Sequence, residues 1–118
     1  MTAREVLDGI KAQLEAATPG PWEEYWQGHI HAPANYPQAA AESVCQTFGR
    51  EDRRHPNAAF IASAPSTVAR LTAAVEAVLA LHAPDTYGEC RRCHGGNGFY
   101  HAYPCPTVAA IENALEGE

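Results

Sequence analysis

The chain has 118 residues, which is enough for a single domain with a modest core. Its formal net charge of −6 at pH 7 disfavours a protein that coats DNA, because nucleic-acid affinity depends on Lys and Arg neutralising phosphates. No run reads as long and apolar enough to span a bilayer, and no apolar signal segment follows Met1. We therefore expect a cytoplasmic protein without membrane contact.

A capping box predicts the first helix. Thr2 is followed three residues later by Glu5, and apolar residues then recur at helical spacing between positions 6 and 14. The helix must end near Ala17, because the following Thr-Pro-Gly-Pro segment cannot continue it.

Two runs rich in aromatic or β-branched residues predict strands. The run 22–30 alternates partially, which would place Trp22, Trp26 and Ile30 on one face of a single strand. The run 43–48 predicts a second strand that could pair with the first.

The second half of the chain predicts two further helical regions. After a polar, turn-like segment 49–56, Asn57 is a candidate N-cap of a helix that Pro65 should break and that ends at His82. Pro106 is favoured as the first residue of a terminal helix. The expected fold class is α+β, with an N-terminal helix, a small antiparallel hairpin or sheet, a broken central helix, a knuckle loop and a short C-terminal helix.

Three of the four cysteines lie close together near the C-terminus. Cys90 and Cys93 form a C-x-x-C pair, which supplies two sulfurs from one tight turn. Cys105 would be the N-cap of the terminal helix, where the helix dipole favours a thiolate. Clustered cysteines in a cytosolic chain are typical of a metal site, and these predict structural Zn²⁺ rather than disulfides. Cys45 lies apart and is interpreted as a structural thiol.

The spacing leaves the fourth ligand open among three histidines. His82 would end the central helix eight residues before Cys90, and His101 precedes Cys105 by four residues. His94 directly follows Cys93, where ligation would strain the turn. The alternative interpretation is three incidental cysteines in a reducing cytosol.

The predicted organisation has an α+β domain over 1–84, with a zinc-binding knuckle and terminal helix over 85–118 packed on it as part of one domain. Four protein ligands would leave no open position for a reacting water. The sequence also contains no nucleophile elbow, no P-loop and no dinucleotide fingerprint. We therefore expect a protein that is not an enzyme.

The predicted hairpin region holds the candidate binding residues. Trp22, Tyr25 and Trp26 could form a stacking platform, or they could be the large core residues of an alanine-rich domain. His29 and His31 lie two residues apart and could share one strand face, as a functional pair or as solvent-facing positions.

Two segments carry a resemblance to a known family. The sequence Ala-Thr-Pro-Gly-Pro-Trp at 17–22 and the sequence Asn-Ala-Ala-Phe-Ile-Ala-Ser-Ala-Pro at 57–65 together resemble the Ead-like early proteins of tailed bacteriophages and related small proteins of actinobacterial phages. The tail from His82 to Thr107 is similar to short cysteine-containing segments of actinobacterial and actinophage proteins, and that layout favours His82 as fourth ligand. The resemblance implies an accessory protein that acts on host physiology or defence inside an infected bacterium, with a host protein as its partner.

Two alternative functions remain open from the sequence. One is the binding of a small nucleotide signal through the aromatic residues together with Arg50, Arg53 or Arg54. The other is a zinc-containing DNA-binding regulator that uses Arg91 and Arg92, although the net charge disfavours a nucleic acid as partner.

Overall fold

The computed structural model describes residues 1–33, 42–94 and 99–117. Within these ranges the elements, in chain order, are α1 (Ala3–Ala16), β1 (Glu23–Trp26), β2 (His29–Ala32), β3 (Glu42–Gln46), α2 (Glu51–Leu81), β4 (Glu89–His94), β5 (Tyr100–Ala102) and α3 (Pro106–Glu116). Helices and small antiparallel sheets are therefore combined, and the expected α+β class is confirmed.

The chain divides into two compact units. The first unit comprises Met1–Ile10 and Thr72–Glu118, and the second comprises Lys11–Leu71. α1 is divided between the units after Ile10, and α2 is divided between them after Leu71. The predicted boundary after Pro84 falls inside the first unit.

The second unit contains an antiparallel sheet of order β1-β2-β3. The single strand predicted over 22–30 is wrong, because the chain reverses at Gln27 and Gly28 between β1 and β2. Both turn residues have positive φ, at 44° and 79°, as the favoured two-residue hairpin turns require. Trp26 and Ile30 therefore lie on different strands, and Trp26 is paired with His29.

Gly28 cannot carry a side chain in this turn. A Cβ at Gly28 would overlap the hydroxyl of Thr47, which donates to the Gly28 carbonyl at 3.2 Å. The predicted second strand is present as β3, and it pairs with β2. Pro33, Asn35 and Pro37 predict a loop before this strand, and its residues 34–41 lie outside the described ranges.

The central helix is longer than predicted and is unbroken. α2 starts at Glu51, six residues before the expected cap Asn57, and it runs through both Pro56 and Pro65. Glu51 and Asp52 in its first turn are favourable at a helix N-terminus. A proline removes one helical hydrogen bond, but packing of a side chain on its own unit can offset that cost, and Pro65 is half-buried.

The continuity of α2 also corrects the expectation that no run is long or apolar enough for a bilayer. As one helix of 31 residues, α2 is long and apolar enough to cross a membrane by length and composition, whereas two halves separated at Pro65 would not be. Only 11% of the most apolar window is buried within the protein. This finding rests on length and composition alone, and the core helix of a water-soluble protein can pass the same test.

In the first unit, the capping box at the start of α1 is confirmed. The backbone N–H of Glu5 donates to the Thr2 hydroxyl at 3.2 Å, and the backbone N–H of Thr2 donates to the Glu5 carboxylate at 3.0 Å. Glu112 of α3 accepts the backbone N–H of Ala3 at 2.8 Å, which puts a second carboxylate at the N-terminus of α1.

The core of the first unit is small and includes sulfur. Its buried members are Ala3, Leu7, Leu79, Cys90, Cys105 and Val108. Side chains of Val75, Cys93, Ile111 and Leu115 pack against this cluster and are partly buried. The cysteines therefore lie in the place where a larger protein would have aliphatic residues.

Candidate metal centre

The C-x-x-C pair lies on a strand, where the sequence predicted a loop. β4 carries Cys90 and Cys93 and pairs antiparallel with β5. The Gly-Gly-Asn-Gly segment at 95–98 between these strands lies outside the described residues, and so does the side chain of His94.

A turn at Asp85 returns the chain from α2 to the start of β4. The Asp85 carboxylate accepts the backbone N–H groups of Tyr87 at 2.8 Å and of Glu89 at 3.0 Å. Gly88 completes the turn with φ of 74°. The sequence analysis did not single out Asp85, although an Asp three residues before a Gly is a recognisable turn signal.

The same turn brings Cys90 close to the end of α2. Pro84 and Cys90 form an antiparallel bridge, and the backbone N–H of Arg91 donates to the Ala83 carbonyl at 3.3 Å. His82 directly follows α2, and its backbone N–H donates to the Val78 carbonyl at 3.1 Å. The helix end and the strand therefore present His82 and Cys90 to the same point.

Cys105 reaches that point from the other side. It is the N-cap of α3, with extended backbone angles of −70° and 169° and with proline in the first turn, as the sequence predicted. The backbone N–H of Tyr103 donates to the Gly88 carbonyl at 2.8 Å, which anchors the segment before Cys105 to the Asp85 turn.

The four predicted ligands converge. His82 Nδ1 lies 3.4 Å from the sulfur of Cys90, 3.3 Å from that of Cys93 and 3.6 Å from that of Cys105. All four ligand atoms lie within 4.8 Å of one another. A tetrahedral ion with bonds of ~2.3 Å to sulfur and ~2.0 Å to nitrogen would hold N and S ~3.5 Å apart. The observed N–S distances fit that arrangement, so the cluster could hold a metal ion.

His82 is therefore the histidine that the fold brings to the three cysteines. His101 lies on β5 and is half-buried, and it does not belong to the group of ligand-type residues found in the described part of the chain. The sequence spacing alone could not separate these two histidines. The deciding contact is the bridge between Pro84 and Cys90, which sequence spacing does not encode.

Burial differs among the ligands. Cys90 and Cys105 are completely buried, whereas Cys93 and His82 are half-buried. Thr107 in the first turn of α3 has its hydroxyl oxygen 4.0 Å from the Cys93 sulfur. The site is thus closed on the side of the core and partly open on the side of Cys93.

The surroundings shift the pKa values of Cys93 and Cys105 in opposite directions. Burial, followed by hydrogen bonds with Cys105 and Cys90, raises the pKa of Cys93 to about 11. Burial alone would also raise the pKa of Cys105, but hydrogen bonds from the backbone N–H groups of Val108 and Thr107 and from the other two thiols outweigh it and lower the pKa. Of these two sulfurs, that of Cys105 at the start of α3 is therefore the easier to deprotonate.

The candidate binding residues of the hairpin have divergent environments. Tyr25 and Trp26 are exposed, at 59% and 60%. Trp22 is half-buried and its indole N–H donates to the Thr18 carbonyl at 2.8 Å. His31 is buried, and its Nε2 lies 3.1 Å from the Glu23 carboxylate.

The histidines and Tyr25 form a ring cluster on one part of the sheet. The Tyr25 ring lies 4.5 Å from the His31 ring and 5.5 Å from the His29 ring, measured between centroids. His29 Nε2 is 3.2 Å from the Ser43 hydroxyl. A second histidine–carboxylate pair, His55 with Glu24 at 2.8 Å, was not anticipated, because it joins α2 to β1 across 31 residues of sequence.

The arginines at 50–54 and those at 91–92 also have different surroundings. Arg50 pairs with Asp52 at 3.2 Å, and Arg54 is half-buried beside the turn at Gly28. Arg91 and Arg92 are exposed between the two cysteines of β4.

The chain matches no protein-family model, no curated protein and no solved structure at a significant level. Its resemblance to Ead-like phage proteins therefore remains a prediction that rests on the segments 17–22 and 57–65.

We expect removal of the metal to destabilise the first unit. Chelation should lower the thermal midpoint of that unit by many degrees, because the clustered sulfurs would lose the cation that links them, and Cys93→Ser should do the same because it removes one of the four ligands. Differential scanning calorimetry of the metal-loaded protein measures this shift. Cys45→Ser is the matched control, because Cys45 is also a free, half-buried cysteine but lies in the second unit. An unchanged midpoint after chelation would contradict a structural metal.

Metal binding should release protons at neutral pH. Because the pKa of Cys93 is raised to about 11, its sulfur carries a proton at pH 7 that must leave when the thiolate binds a cation. Affinity should therefore rise with pH, by up to about tenfold per unit for each proton displaced. Titration calorimetry in buffers of different ionisation enthalpy counts these protons. A binding enthalpy that is independent of the buffer would contradict this assignment.

Proposed function

We propose that this protein is a non-enzymatic binding protein whose first unit is stabilised by a structural Zn²⁺ ion. We further propose that exposed aromatic side chains of the β1–β2 hairpin contact a partner protein. The observation that carries the proposal is the complete set of four protein ligands within 4.8 Å. Such a set leaves no position on a tetrahedral ion for a reacting water or substrate.

The donor set supports zinc as the metal. Three thiolates and one imidazole are soft or borderline ligands, which disfavours Mg²⁺ and Ca²⁺ because those ions take oxygen ligands. Tetrahedral spacing of sulfur and nitrogen is typical of structural zinc sites of the Cys₃His type. The burial of Cys90 and Cys105 in the core agrees with a stabilising role, because their thiolates would be costly there without a cation.

Cobalt substitution tests both the geometry and the closure of the site. The protein purified without added metal should contain zinc, and the Co²⁺ form should show the intense visible bands of a tetrahedral thiolate complex. Azide should leave those bands unchanged, because no coordination position is open. Bands that shift on adding azide would contradict a structural role and would revive metal-dependent catalysis.

The partner face is assigned to Tyr25 and Trp26. Aromatic side chains are enriched at the centres of protein interfaces, and these two are more than half exposed on β1, a strand at the edge of its sheet. Tyr25 is held by the His29 and His31 rings, so it presents an ordered surface at little cost in side-chain entropy. The polar atoms of Trp22 and His31 are hydrogen-bonded within the second unit, so we assign these two residues to supporting the face and not to contacting the partner.

The resemblance to Ead-like proteins supports a host protein as the partner, inside the cytoplasm of a bacterium infected by a phage. The nucleotide alternative has less support, since the Arg50 guanidinium is already paired with the Asp52 carboxylate within the second unit. A DNA-binding role would rest on the exposed Arg91 and Arg92 against a net charge of −6.

Affinity capture with matched variants tests the partner face. The intact protein should retain one host protein reproducibly, and Trp26→Ala should weaken that capture by tenfold or more, as loss of an aromatic anchor predicts. Phe48→Ala is the control, because Phe48 is an exposed aromatic residue of the same unit that lies outside the hairpin. Equal capture by both variants would overturn the assignment, and so would capture that needs neither residue.

A further inference from the structure

The three cysteines of the candidate metal centre differ in how far solvent can reach them. Cys90 and Cys105 have no exposed surface, and both are members of the core of the first unit. Cys93 packs against that core but is only half-buried, like His82. A small reagent that arrives from solvent therefore meets the sulfur of Cys93 before the other two.

A second sulfur lies beside the accessible one. The ligand atoms of the cluster lie within 4.8 Å of one another, and Cys93 shares hydrogen bonds with both Cys105 and Cys90. A disulfide bond is about 2.05 Å long, so the sulfurs need to approach by less than ~3 Å to form one. An accessible thiolate with a second cysteine in reach is the arrangement of cysteines that respond reversibly to oxidants.

Two exposed arginines directly precede Cys93. Arg91 and Arg92 lie on β4 between the two cysteines of that strand. Positive charge near a sulfur favours its thiolate form, and it also stabilises the anion that leaves when a peroxide bond breaks. The binding function proposed above makes no use of either arginine, whereas a sulfur that reacts with oxidants does.

We propose that Cys93 is a modification site for peroxides, and that its oxidation to a disulfide with one of the two buried cysteines releases the metal ion from the first unit. The inference rests on the Zn²⁺ ion of the proposed function. A sulfur bound to zinc is a thiolate, which is the nucleophilic form of cysteine, so the bound ion holds Cys93 in its reactive form.

The oxidation balances in two steps. The Cys93 thiolate attacks one oxygen of hydrogen peroxide; an S–O bond forms as the O–O bond breaks, and the departing hydroxide takes a proton to become water. The thiolate of Cys90 or Cys105 then attacks the sulfur of this sulfenic acid, so that an S–S bond forms, the S–O bond breaks and a second hydroxide leaves as water. The two thiolates together lose two electrons, the peroxide gains them, and two protons are consumed.

Disulfide formation removes two of the four ligands at once. One cysteine and His82 remain, which is half of the set that a structural zinc ion requires. Loss of the ion weakens the packing around Leu7 and Val108, because the buried sulfurs belong to the same core. A cellular thiol can reduce the disulfide by exchange and so restore the ligands. The first unit therefore responds reversibly to peroxide.

Zinc release from the full chain tests the inference. Metal analysis of the protein purified under reducing conditions comes first, because a chain without zinc would refute the proposed function itself. Hydrogen peroxide should then release the ion to a colorimetric chelator. In Cys45→Ser, which removes the free cysteine of the second unit, two of the three remaining thiols should disappear. Dithiothreitol with added zinc should restore both thiols and metal. Zinc that stays bound under peroxide would overturn the inference and leave the structural ion in place.

Tryptic peptides identify the disulfide. Cleavage after Arg91 and Arg92 separates Cys90 from Cys93, whereas no Lys or Arg lies between Cys93 and Cys105. A disulfide from Cys93 to Cys90 therefore links two peptides, and one from Cys93 to Cys105 closes a loop within the peptide 93–118. Either product supports the inference. A disulfide between Cys90 and Cys105, or zinc release without any disulfide, would overturn it.

Exchange of one ligand at a time tests the assignment of Cys93. Cys93→His keeps four ligands but removes the accessible sulfur, so it should slow zinc release by roughly tenfold or more. Cys90→His is the matched control, because it keeps Cys93 and Cys105 and should release zinc at close to the rate of the intact chain. Equal rates in the two variants would overturn the assignment.

Alkylation of the zinc-loaded Cys45→Ser chain with iodoacetamide decides the question if either histidine variant fails to bind zinc. Because only Cys93 of the three is half-buried, it should be labelled before Cys90 and Cys105. Labelling of either buried cysteine first would overturn the assignment.

Discussion

Three cysteine sulfurs that lie within 4.8 Å of one another set the main physical constraint on this protein. Thiolates packed into a small core repel one another, and burial penalises each charge. The surroundings act unequally on two of the sulfurs: burial raises the pKa of Cys93 to about 11, whereas hydrogen bonds at the start of α3 lower the pKa of Cys105. A divalent cation removes the constraint, and the core around Leu7 and Val108 can then close over neutralised ligands.

The residues and elements that form the candidate site differ in how far the sequence predicts them. Cys105 followed by Pro106 is a local signal, because both the cap and the first helical turn are specified by adjacent residues. The C-x-x-C pair was equally local. The strand that carries it was not predictable, since β4 exists only through its pairing with β5 and with the segment at Pro84. The same nonlocal pairing determines why His82, and not His101, meets the sulfurs.

The errors in the central helix and in the hairpin have different physical origins. Pro65 is a helix breaker in isolation, but here it lies on the packed side of α2, where contacts within the unit offset the lost hydrogen bond. The Gln-Gly turn was hidden because the aromatic residues before it continue an apparent alternation into Ile30. At Pro65 a local propensity was outweighed by packing between segments distant in sequence, whereas at the hairpin an equally local signal, the turn at Gly28, was overlooked.

The division of the chain has a consequence for biosynthesis. The second unit is formed by consecutive residues up to Leu71, so all of its sequence has been translated before any metal ligand is made. The first unit requires Ala3 to meet Glu112, which is 109 residues later, and it cannot close until α3 has been synthesised. The four ligands span only the short interval from His82 to Cys105, a small loop to close. With the proposed zinc bound, metal capture by the nascent chain would precede docking of α1, and the supply of metal would then determine whether the early-made residues of the first unit find a finished core.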